Sequence, residues 1–532
     1  MPVQSLLPTV RIRPGCLHEL LLADCQEYKD ATAFIDGISG DSLSYQDVFD
    51  FSHNLAAAFQ NQGLKKGDVV LIFLSNCPEY VVTFLAAAKC GAISSGINHI
   101  STVDELVDRL EDCRPAFVIV ANENLPKLQQ AMKIARSLAK IFVNDLESGV
   151  HLSLKRLMRT KPSRPFQEVK IYTKQDICLM PYSSGTTGKP KGVVLTYYNV
   201  TAMMCLIDTG FHQYIGYGDK LLLVLPQFHV YGFFQSLFSV HKGGVCVTLP
   251  KFEANSFLST IQKYKISFLP VVPPILIFLT KDARVKNYDL TSLSIVTYGA
   301  APAGKELLDT CKEQMPYVQH FLQGYGMSEA SMATHIQLMD PNVSPQESCG
   351  LLLPNLEAKI VDVDTGAELD PGTDGEICIR GPTVMVGYYN RPKETAESID
   401  KDGWLHTGDI GHMDENGSFF IVDRKKELIK VKGFQVAPAE LEDLLVSHPS
   451  IADAAVVGIP DDRSGEVPKA FLVLQDGSHL TETDVVNFVK GKVSSYKELT
   501  GGVEFLPELP KSASGKLLRR LLKQKSVKPS KL

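Results

Sequence analysis

The distribution of apolar and polar residues along this 532-residue chain predicts alternating strands and helices in its first part. Short unbroken apolar runs rich in β-branched residues favour buried strands, whereas longer runs with helical spacing favour helices. Residues 68–74, 116–120 and 140–143 are therefore predicted strands, and residues 78–89 are a predicted helix. Strands that alternate with helices indicate a layered α/β fold.

A second alternating region follows between residues 220 and 312. Its predicted elements are a strand at 220–225, a helix at 257–263, a strand at 293–296 and a helix at 305–312. Residues 268–279 form the most apolar short stretch, but prolines interrupt it and it is too short to span a membrane. We expect this stretch to be buried core or a pocket wall.

The pattern changes from residue 351 onwards, where short predicted strands are separated by turn residues. These strands, at 358–363, 374–380 and 414–422, indicate a small β-rich subdomain. A charge cluster at 423–426 then precedes a compact set of elements. They are predicted helices at 438–447 and 484–493 and predicted strands at 454–457 and 470–473.

The predicted fold class is therefore α/β, and a chain of this length exceeds what one core usually supports. We expect a large N-terminal body, residues 1–422, made of two layered α/β subdomains plus the small β-rich subdomain. Residues 423–532 are predicted to form a small, mobile α+β C-terminal domain.

The net charge of −6 does not indicate a basic surface for nucleic acid. No uninterrupted apolar run approaches the ~18 residues of a transmembrane segment. The last three residues, Ser530, Lys531 and Leu532, have the form of a peroxisomal targeting tripeptide. The sequence thus predicts a peroxisomal location, with the import receptor as a partner. The alternative is a solvated lysine-rich tail.

Residues 183–192 combine hydroxyls, glycines and lysines after an apolar run, which is typical of a loop that binds phosphate. The spacing differs from a Walker A loop, and the segment that follows resembles a strand rather than the helix that a Walker A loop opens. ATP is the expected ligand, and a glycine-rich surface turn is the alternative. The candidate residues are Ser183, Ser184, Gly185, Thr186, Thr187, Gly188 and Lys191.

Three further motifs lie at 323–329, 403–409 and 510–516, in addition to this loop and the segment 423–442. In this order they resemble the adenylate-forming superfamily of acyl-CoA synthetases, 4-coumarate–CoA ligases and beetle luciferases. The resemblance implies that a small carboxylic acid reacts with MgATP to give an acyl-adenylate, from which CoA then displaces AMP. ATP, Mg²⁺ and CoA are the implied cofactors and co-substrates.

The resemblance also implies roles for individual residues. Tyr325 matches the aromatic residue that stacks on adenine, Asp409 the carboxylate that accepts hydrogen bonds from ribose, and Ser328 the hydroxyl that faces the α-phosphate. A helix start capped by Ser328 is the alternative for that motif. The implied Mg²⁺ ligands are Glu329 and Thr187. The remaining implied nucleotide-binding residues are Ala300, Ala301, Gly324, Gly326, Arg424 and Gln435.

Two lysines match the residues that serve the two half-reactions in this superfamily. Lys516 resembles the lysine of adenylation, and Lys430 resembles the lysine used for thioester formation after the C-terminal domain rotates. His229 is a third implied catalytic residue, in a segment that walls the acyl pocket. The implied pocket residues are His229, Tyr231, Tyr298 and Met332.

Within the superfamily the sequence favours a ligase for a fatty or hydroxycinnamate-like acid. Beetle luciferases carry paired histidines where this chain has Phe228 and His229, and a serine where it has Met332, so a luciferase is the second choice. A non-catalytic nucleotide binder is a hypothesis of a different class, and the intact set of charged motif residues argues against it.

Overall fold

The computed structural model of the protein describes residues 2–146, 149–183, 190–210, 215–301, 303–425, 427–431, 434–461, 464–490, 492–493, 495–511 and 517–526. Within these ranges the strands form three sheets, here called the N-terminal, central and C-terminal sheets. The expected α/β class, with a large body and a smaller C-terminal part, is confirmed.

The N-terminal sheet has a parallel centre, where the predicted strands at 68–74, 116–120 and 140–143 are confirmed with small shifts of their ends. Its strands, in order across the sheet, are Tyr182–Ser183, Lys191–Thr196, Ile177–Leu179, Ile93–Gly96, Val69–Phe73, Phe117–Val120, Lys140–Val143 and Leu152–Ser153, and Gly387–Tyr388 also pairs with Lys191–Thr196. Its part of the chain contains the helices Tyr45–Asn61, Pro78–Lys89, Val103–Cys113, Leu125–Ile134, Leu154–Arg159 and Tyr197–Ile207, with a 3₁₀ turn at Asn122–Asn124.

One half of the central sheet is parallel except at its edge, where Ser42–Ser44 pairs antiparallel with Thr32–Asp36. Most of this half corresponds to the second predicted α/β region. Its strands, from the edge inwards, are Ser42–Ser44, Thr32–Asp36, Val245–Thr248, Lys220–Leu223, Phe268–Val271, Ile295–Tyr298 and His320–Tyr325. The neighbouring chain segments form the helices Leu17–Glu27, Val230–His241, Ala254–Tyr264, Pro273–Lys281 and Lys305–Gln314, with a 3₁₀ helix at Ala283–Asn287. The apolar stretch at 268–279 is buried core, as expected: a strand, followed by a helix that starts at Pro273.

The predicted β-rich subdomain is an antiparallel continuation of this same sheet, because Gly324 pairs with Ile336 across the change of direction. The continuing strands are His335–Ile336, Gly350–Leu352, Ser418–Arg424, Leu405–Met413, Gly375–Arg380, Glu357–Val361 and Val3–Gln4. The helix Pro392–Ser398 lies in the same part of the chain.

The C-terminal sheet has a core of its own, which includes Ile429, Val456 and Leu472. The strands predicted at 454–457 and 470–473 lie within two longer paired strands. The strands of this sheet are Phe434–Val436, Ile429–Val431, Gly465–Leu474, Ile451–Asp461 and Val503–Phe505. The helices are Pro438–Val446, Glu482–Val489 and Arg519–Ser526, with a 3₁₀ turn at Ser495–Lys497.

Two adjacent parallel strands of the central sheet, Ile295–Tyr298 and His320–Tyr325, end at the same edge of that sheet. The segments that follow them therefore emerge side by side. Crevices outside the carboxyl ends of parallel strands are where α/β sheets bind ligands. No helix in the described ranges combines the length and apolar character that crossing a membrane would require.

Candidate active site

The predicted phosphate loop connects two antiparallel strands. Tyr182 pairs with Gly192, and Ser183 with Lys191, so the loop lies at the end of a β-hairpin. The strand after the loop, Lys191–Thr196, confirms the predicted departure from a Walker A arrangement. The loop's candidates Ser184, Gly185, Thr186, Thr187 and Gly188 lie outside the described residues.

Tyr325, Asp409 and Arg424, which are far apart in sequence, meet in the structure. The Tyr325 hydroxyl donates a hydrogen bond to Asp409 Oδ2 over 2.7 Å, and Arg424 Nε lies 3.3 Å from Asp409 Oδ1. Asp409 and Arg424 are register partners on neighbouring strands, and Asp409 is only 5% exposed. Burial and the Asp409 carboxylate raise the pKa of Tyr325 well above its usual value. Tyr325 therefore stays a phenol and keeps donating to Asp409.

Glu376, which no sequence motif singled out, holds the backbone beside Asp409. Its carboxylate accepts from the backbone N–H of Gly408 over 3.2 Å and lies 3.1 Å from both His406 Nδ1 and Lys425 Nζ. Burial raises the pKa of Glu376, but the bonds from His406 and Lys425 outweigh it and leave the pKa lowered. A lone glutamate within a strand gives no signal in the sequence.

Glu329 and Lys191, predicted separately from two motifs, contact the same tyrosine. The Tyr388 hydroxyl donates to Glu329 Oε1 over 2.9 Å, and Lys191 Nζ lies 4.9 Å from the centroid of the Tyr388 ring. Sequence reasoning missed Tyr388, since it lies outside all the motifs.

Ser328 is buried and begins a 3₁₀ turn, Ser328–Ala330. The residue at the N-cap position is Met327, so the alternative in which Ser328 caps a helix start is wrong. Ser328 thus keeps a hydroxyl next to the Glu329 carboxylate in the chain. Carboxylate and hydroxyl oxygens are hard donors that suit Mg²⁺, and the donor chemistry here fits such an ion.

The small residues at the ends of the two parallel strands allow close backbone approach. A Cβ atom at Gly299 would lie 2.8 Å from the Gly324 carbonyl oxygen, and one at Gly326 would lie 1.9 Å from the Met332 carbonyl oxygen. Ala300 has a φ of 68°, in the left-handed region that a residue with a Cβ rarely adopts. Such strain is commonly kept at ligand sites, and Ala301 follows directly.

The predicted pocket residues are only partly brought together. Tyr231 Oη lies 3.3 Å from Thr297 Oγ1, and Met332 contacts the backbone at Gly326. Tyr298 follows Thr297 in the same strand, so its side chain points to the opposite face, where it packs in a core with Leu308. Its hydroxyl is buried without a hydrogen-bond partner among the described residues.

His229 occupies the N-cap position of the helix Val230–His241, with an extended backbone. Lys430 and Gln435 are register partners in the C-terminal sheet, but their side chains lie outside the described residues. Lys516 also lies outside them. The described part of the predicted site thus contains Tyr325, Asp409 and Arg424, but neither Lys516 nor the side chain of Lys430.

Comparison with known families gives two matches. Residues 21–389 match the family described as AMP-binding enzyme, and residues 440–516 match the AMP-binding enzyme C-terminal domain.

Individual relatives extend over nearly the whole chain. The probable 4-coumarate–CoA ligase 1 of Dictyostelium discoideum is 39% identical, over 98% of this chain and 97% of its own. The 4-coumarate–CoA ligase 1 of Arabidopsis thaliana is 40% identical, over 96% of this chain and 92% of its own. Among solved structures, an anthranilate CoA ligase in complex with anthranoyl-AMP superimposes with a TM-score of 0.87 at 26% identity, covering 98% of both chains.

Proposed function

This chain belongs to the AMP-binding enzyme family, and from that premise we propose which acid it activates and which side chains do so. The class of reaction is not in question, because relatives at about 40% identity over nearly the whole chain are acid–CoA ligases. The protein is an AMP-forming, ATP-dependent acid–CoA ligase. The luciferase alternative is not favoured.

The proposed substrate is a hydroxycinnamate-like aromatic acid. Similarity to 4-coumarate–CoA ligases from both a slime mould and plants is the observation that carries this proposal. A fatty acid is the second candidate, favoured by the terminal Ser530, Lys531 and Leu532, since peroxisomes receive proteins with such tripeptides. That tripeptide lies outside the described residues.

The adenosine of ATP would bind beside the cluster of Tyr325, Asp409 and Arg424. Asp409 accepts hydrogen bonds from ribose, and Tyr325 presents its ring to adenine while its hydroxyl fixes the Asp409 carboxylate. Because Arg424 and Tyr325 hold that carboxylate before ATP arrives, little reorganisation accompanies binding.

The phosphates would lie between the hairpin and the Ser328–Ala330 turn. Lys191 and Ser328 offer a charge and a hydroxyl to phosphate oxygens. Glu329, with Thr187, would hold Mg²⁺, which when bound neutralises charge on the phosphates.

In the first step a carboxylate oxygen of the acid attacks the α-phosphorus and the bond to pyrophosphate breaks. Lys516 would bring the carboxylate and the α-phosphate together, which is chiefly a matter of orientation and charge. In the second step the CoA sulfur attacks the acyl carbon and AMP leaves, with Lys430 in place of Lys516. Tyr231, Met332 and His229 would border the acyl chain and the incoming thiol.

The test is pyrophosphate release from MgATP with hydroxycinnamates, benzoates and fatty acids of increasing length, with and without CoA. We expect the highest kcat/KM and CoA-dependent thioester formation with a hydroxycinnamate. A higher kcat/KM for a fatty acid would replace the aromatic proposal, and no release with any acid would contradict the function.

The proposed peroxisomal location has a separate test. A fluorescent protein fused to the N-terminus should appear in peroxisomes, and deletion of residues 530–532 should release it to the cytosol. The same distribution for both fusions would contradict this location.

A further inference from the structure

We propose that Tyr388 is a positioning residue of this ligase, which orients Glu329 for the metal ion and Lys191 for the phosphates of ATP. This inference rests on the proposed roles of Glu329 and Lys191. It adds a residue that belongs to none of the motifs identified from the sequence.

The hydroxyl and the ring of Tyr388 contact two different charged side chains, Glu329 and Lys191. Its hydroxyl donates to Glu329 Oε1 over 2.9 Å, and its ring centroid lies 4.9 Å from Lys191 Nζ. The second oxygen of Glu329 has no hydrogen-bond partner within the described ranges. A hydrogen bond to one oxygen of a carboxylate fixes the orientation of the other, as groups behind metal ligands commonly do. The ring attracts the lysine ammonium through its quadrupole.

The backbone fixes Tyr388 between these partners. Tyr388 pairs with Val193 in the strand that begins at Lys191, and its N–H donates to Thr395 Oγ1 over 2.9 Å. The next residue, Tyr389, donates its N–H to the Gly192 carbonyl over 2.8 Å. The tyrosine is thus attached to the base of the hairpin that carries the predicted phosphate loop.

The same segment also holds the turn that carries Glu329. Met385 N–H donates to the Glu329 carbonyl over 2.8 Å, and the Ser331 hydroxyl donates to the Thr383 carbonyl over 2.6 Å. Gly387 approaches Thr395 so closely that a Cβ atom would lie 2.6 Å from Thr395 Cγ2. Residues 383–389 therefore join the two phosphate-side elements, and Tyr388 is the side chain that touches a charged group on each.

The experiment measures binding instead of turnover. Calorimetry gives the Kd of ATP for the full-length enzyme without acid, once with Mg²⁺ and once with a chelator. The ratio of the two constants, after correction for MgATP formation in solution, reports the contribution of the metal to binding. A merely structural role of Tyr388 would change both constants together, or the melting temperature.

Three variants separate the hydroxyl from the ring. Tyr388→Phe should reduce the metal-dependent ratio by about 10-fold and leave metal-free ATP binding unchanged, because outer partners of metal ligands commonly carry effects of this size. Tyr388→Leu should also weaken metal-free binding by about two- to fivefold, because the ring next to Lys191 is lost. Tyr389→Phe, which removes a hydroxyl from the neighbouring residue, should change neither constant.

Wild-type values for both constants in Tyr388→Phe would overturn the proposal. Equal weakening of binding with and without metal would also overturn it, as would a wild-type enzyme whose ATP affinity does not respond to Mg²⁺. These results are independent of acid, so they remain distinct from a failure of acid-dependent pyrophosphate release, which would overturn the proposed function instead.

Discussion

The nucleotide side of the site and the C-terminal sheet are stabilised in different ways. Tyr325, Asp409 and Arg424 lie on strands of one continuous sheet and contact each other directly. The C-terminal sheet has its own apolar core and its own ion pairs, in which Arg519 contacts Glu442 and Glu427.

The two regions meet where the chain passes from one sheet to the other. There the Ala439 N–H donates to Asp423 Oδ2 over 3.1 Å, and Ile410, Leu428 and Ala437 pack together. A region with its own core can change position without unfolding, whereas a site built within a sheet cannot change without losing its geometry. The proposed nucleotide-binding cluster is therefore fixed within the central sheet, and a moving part would have to be the C-terminal one.

The largest expected effect on stability comes from breaking the ion pairs of the C-terminal region. Arg519→Met leaves Glu442 and Glu427 without their cation, and Glu442 is largely buried, so we expect a loss of about 3 kcal/mol in the stability of this region. Hydrogen exchange during urea titration should show earlier opening of Ile451–Asp461 and no change in Val69–Phe73. The exposed neighbour Arg520 provides the control, Arg520→Met. Equal opening of both strands would contradict the comparison.

The next effect concerns the two predicted lysines. Lys516→Ala should slow adenylation by roughly 10²–10³-fold, by analogy with the loss of one preorganised electrostatic contact, while thioester formation from supplied acyl-adenylate stays near normal. Lys430→Ala should show the reverse pattern. Single-turnover assays of each half-reaction give both rates, and loss of the same half-reaction in both variants would refute two lysines for two steps.

A smaller effect is expected within the rigid cluster. Asp409→Asn replaces the charged acceptor for ribose and for Tyr325, so AMP affinity should fall by roughly 10- to 100-fold. Calorimetry of AMP binding measures this loss. Exposed Asp402 provides the matched variant, Asp402→Asn, which should bind AMP normally. Similar affinities for the two variants would show that the cluster does not bind the nucleotide.

The smallest effect is a dependence of stability on pH. Hydrogen bonds with Cys378 and with Glu376 raise the pKa of His406 to about 10. Two further charged groups lie nearby, since Asp400 Oδ2 is 3.7 Å from His406 Nε2 and Lys425 contacts Glu376. Because this pKa lies above the usual 6.5, the stabilisation is complete below pH 6.5 and is lost as the pH rises towards 10.

His406→Gln should remove this dependence. Because water partly reaches this site and screens the charges, we expect the unfolding free energy to change with pH by about 1 kcal/mol. Urea midpoints at pH 6 and pH 9 measure it. The same difference between these midpoints in the variant and the wild type would contradict the assignment to His406.

The sequence predicted the strands that have unbroken apolar runs, such as Val69–Phe73 and Phe117–Val120, because burial on both faces leaves a clear local pattern. It did not predict strands of two residues, such as His335–Ile336 and Gly387–Tyr388. Their pairing depends on partners far away in the chain. For this reason the β-rich part looked like a separate subdomain although it continues the central sheet.

The candidate site shows the same limit. Motifs identified Tyr325, Asp409 and Glu329, but Glu376 and Tyr388 became visible only when folding placed them beside those residues. Pocket residues were also hard to assign, since Thr297 and Tyr298 are neighbours in sequence but lie on opposite faces of one strand.

The pairing of Val3 and Gln4 has a consequence for synthesis on the ribosome. Val3 and Gln4 form a strand with Ala358 and Glu357, so their partners are made about 350 residues later. At ~5–20 residues per second this interval is on the order of 20–70 s. Val3 and Gln4 therefore wait unpaired during this interval, and this edge of the central sheet closes only after Glu357 and Ala358 have been made.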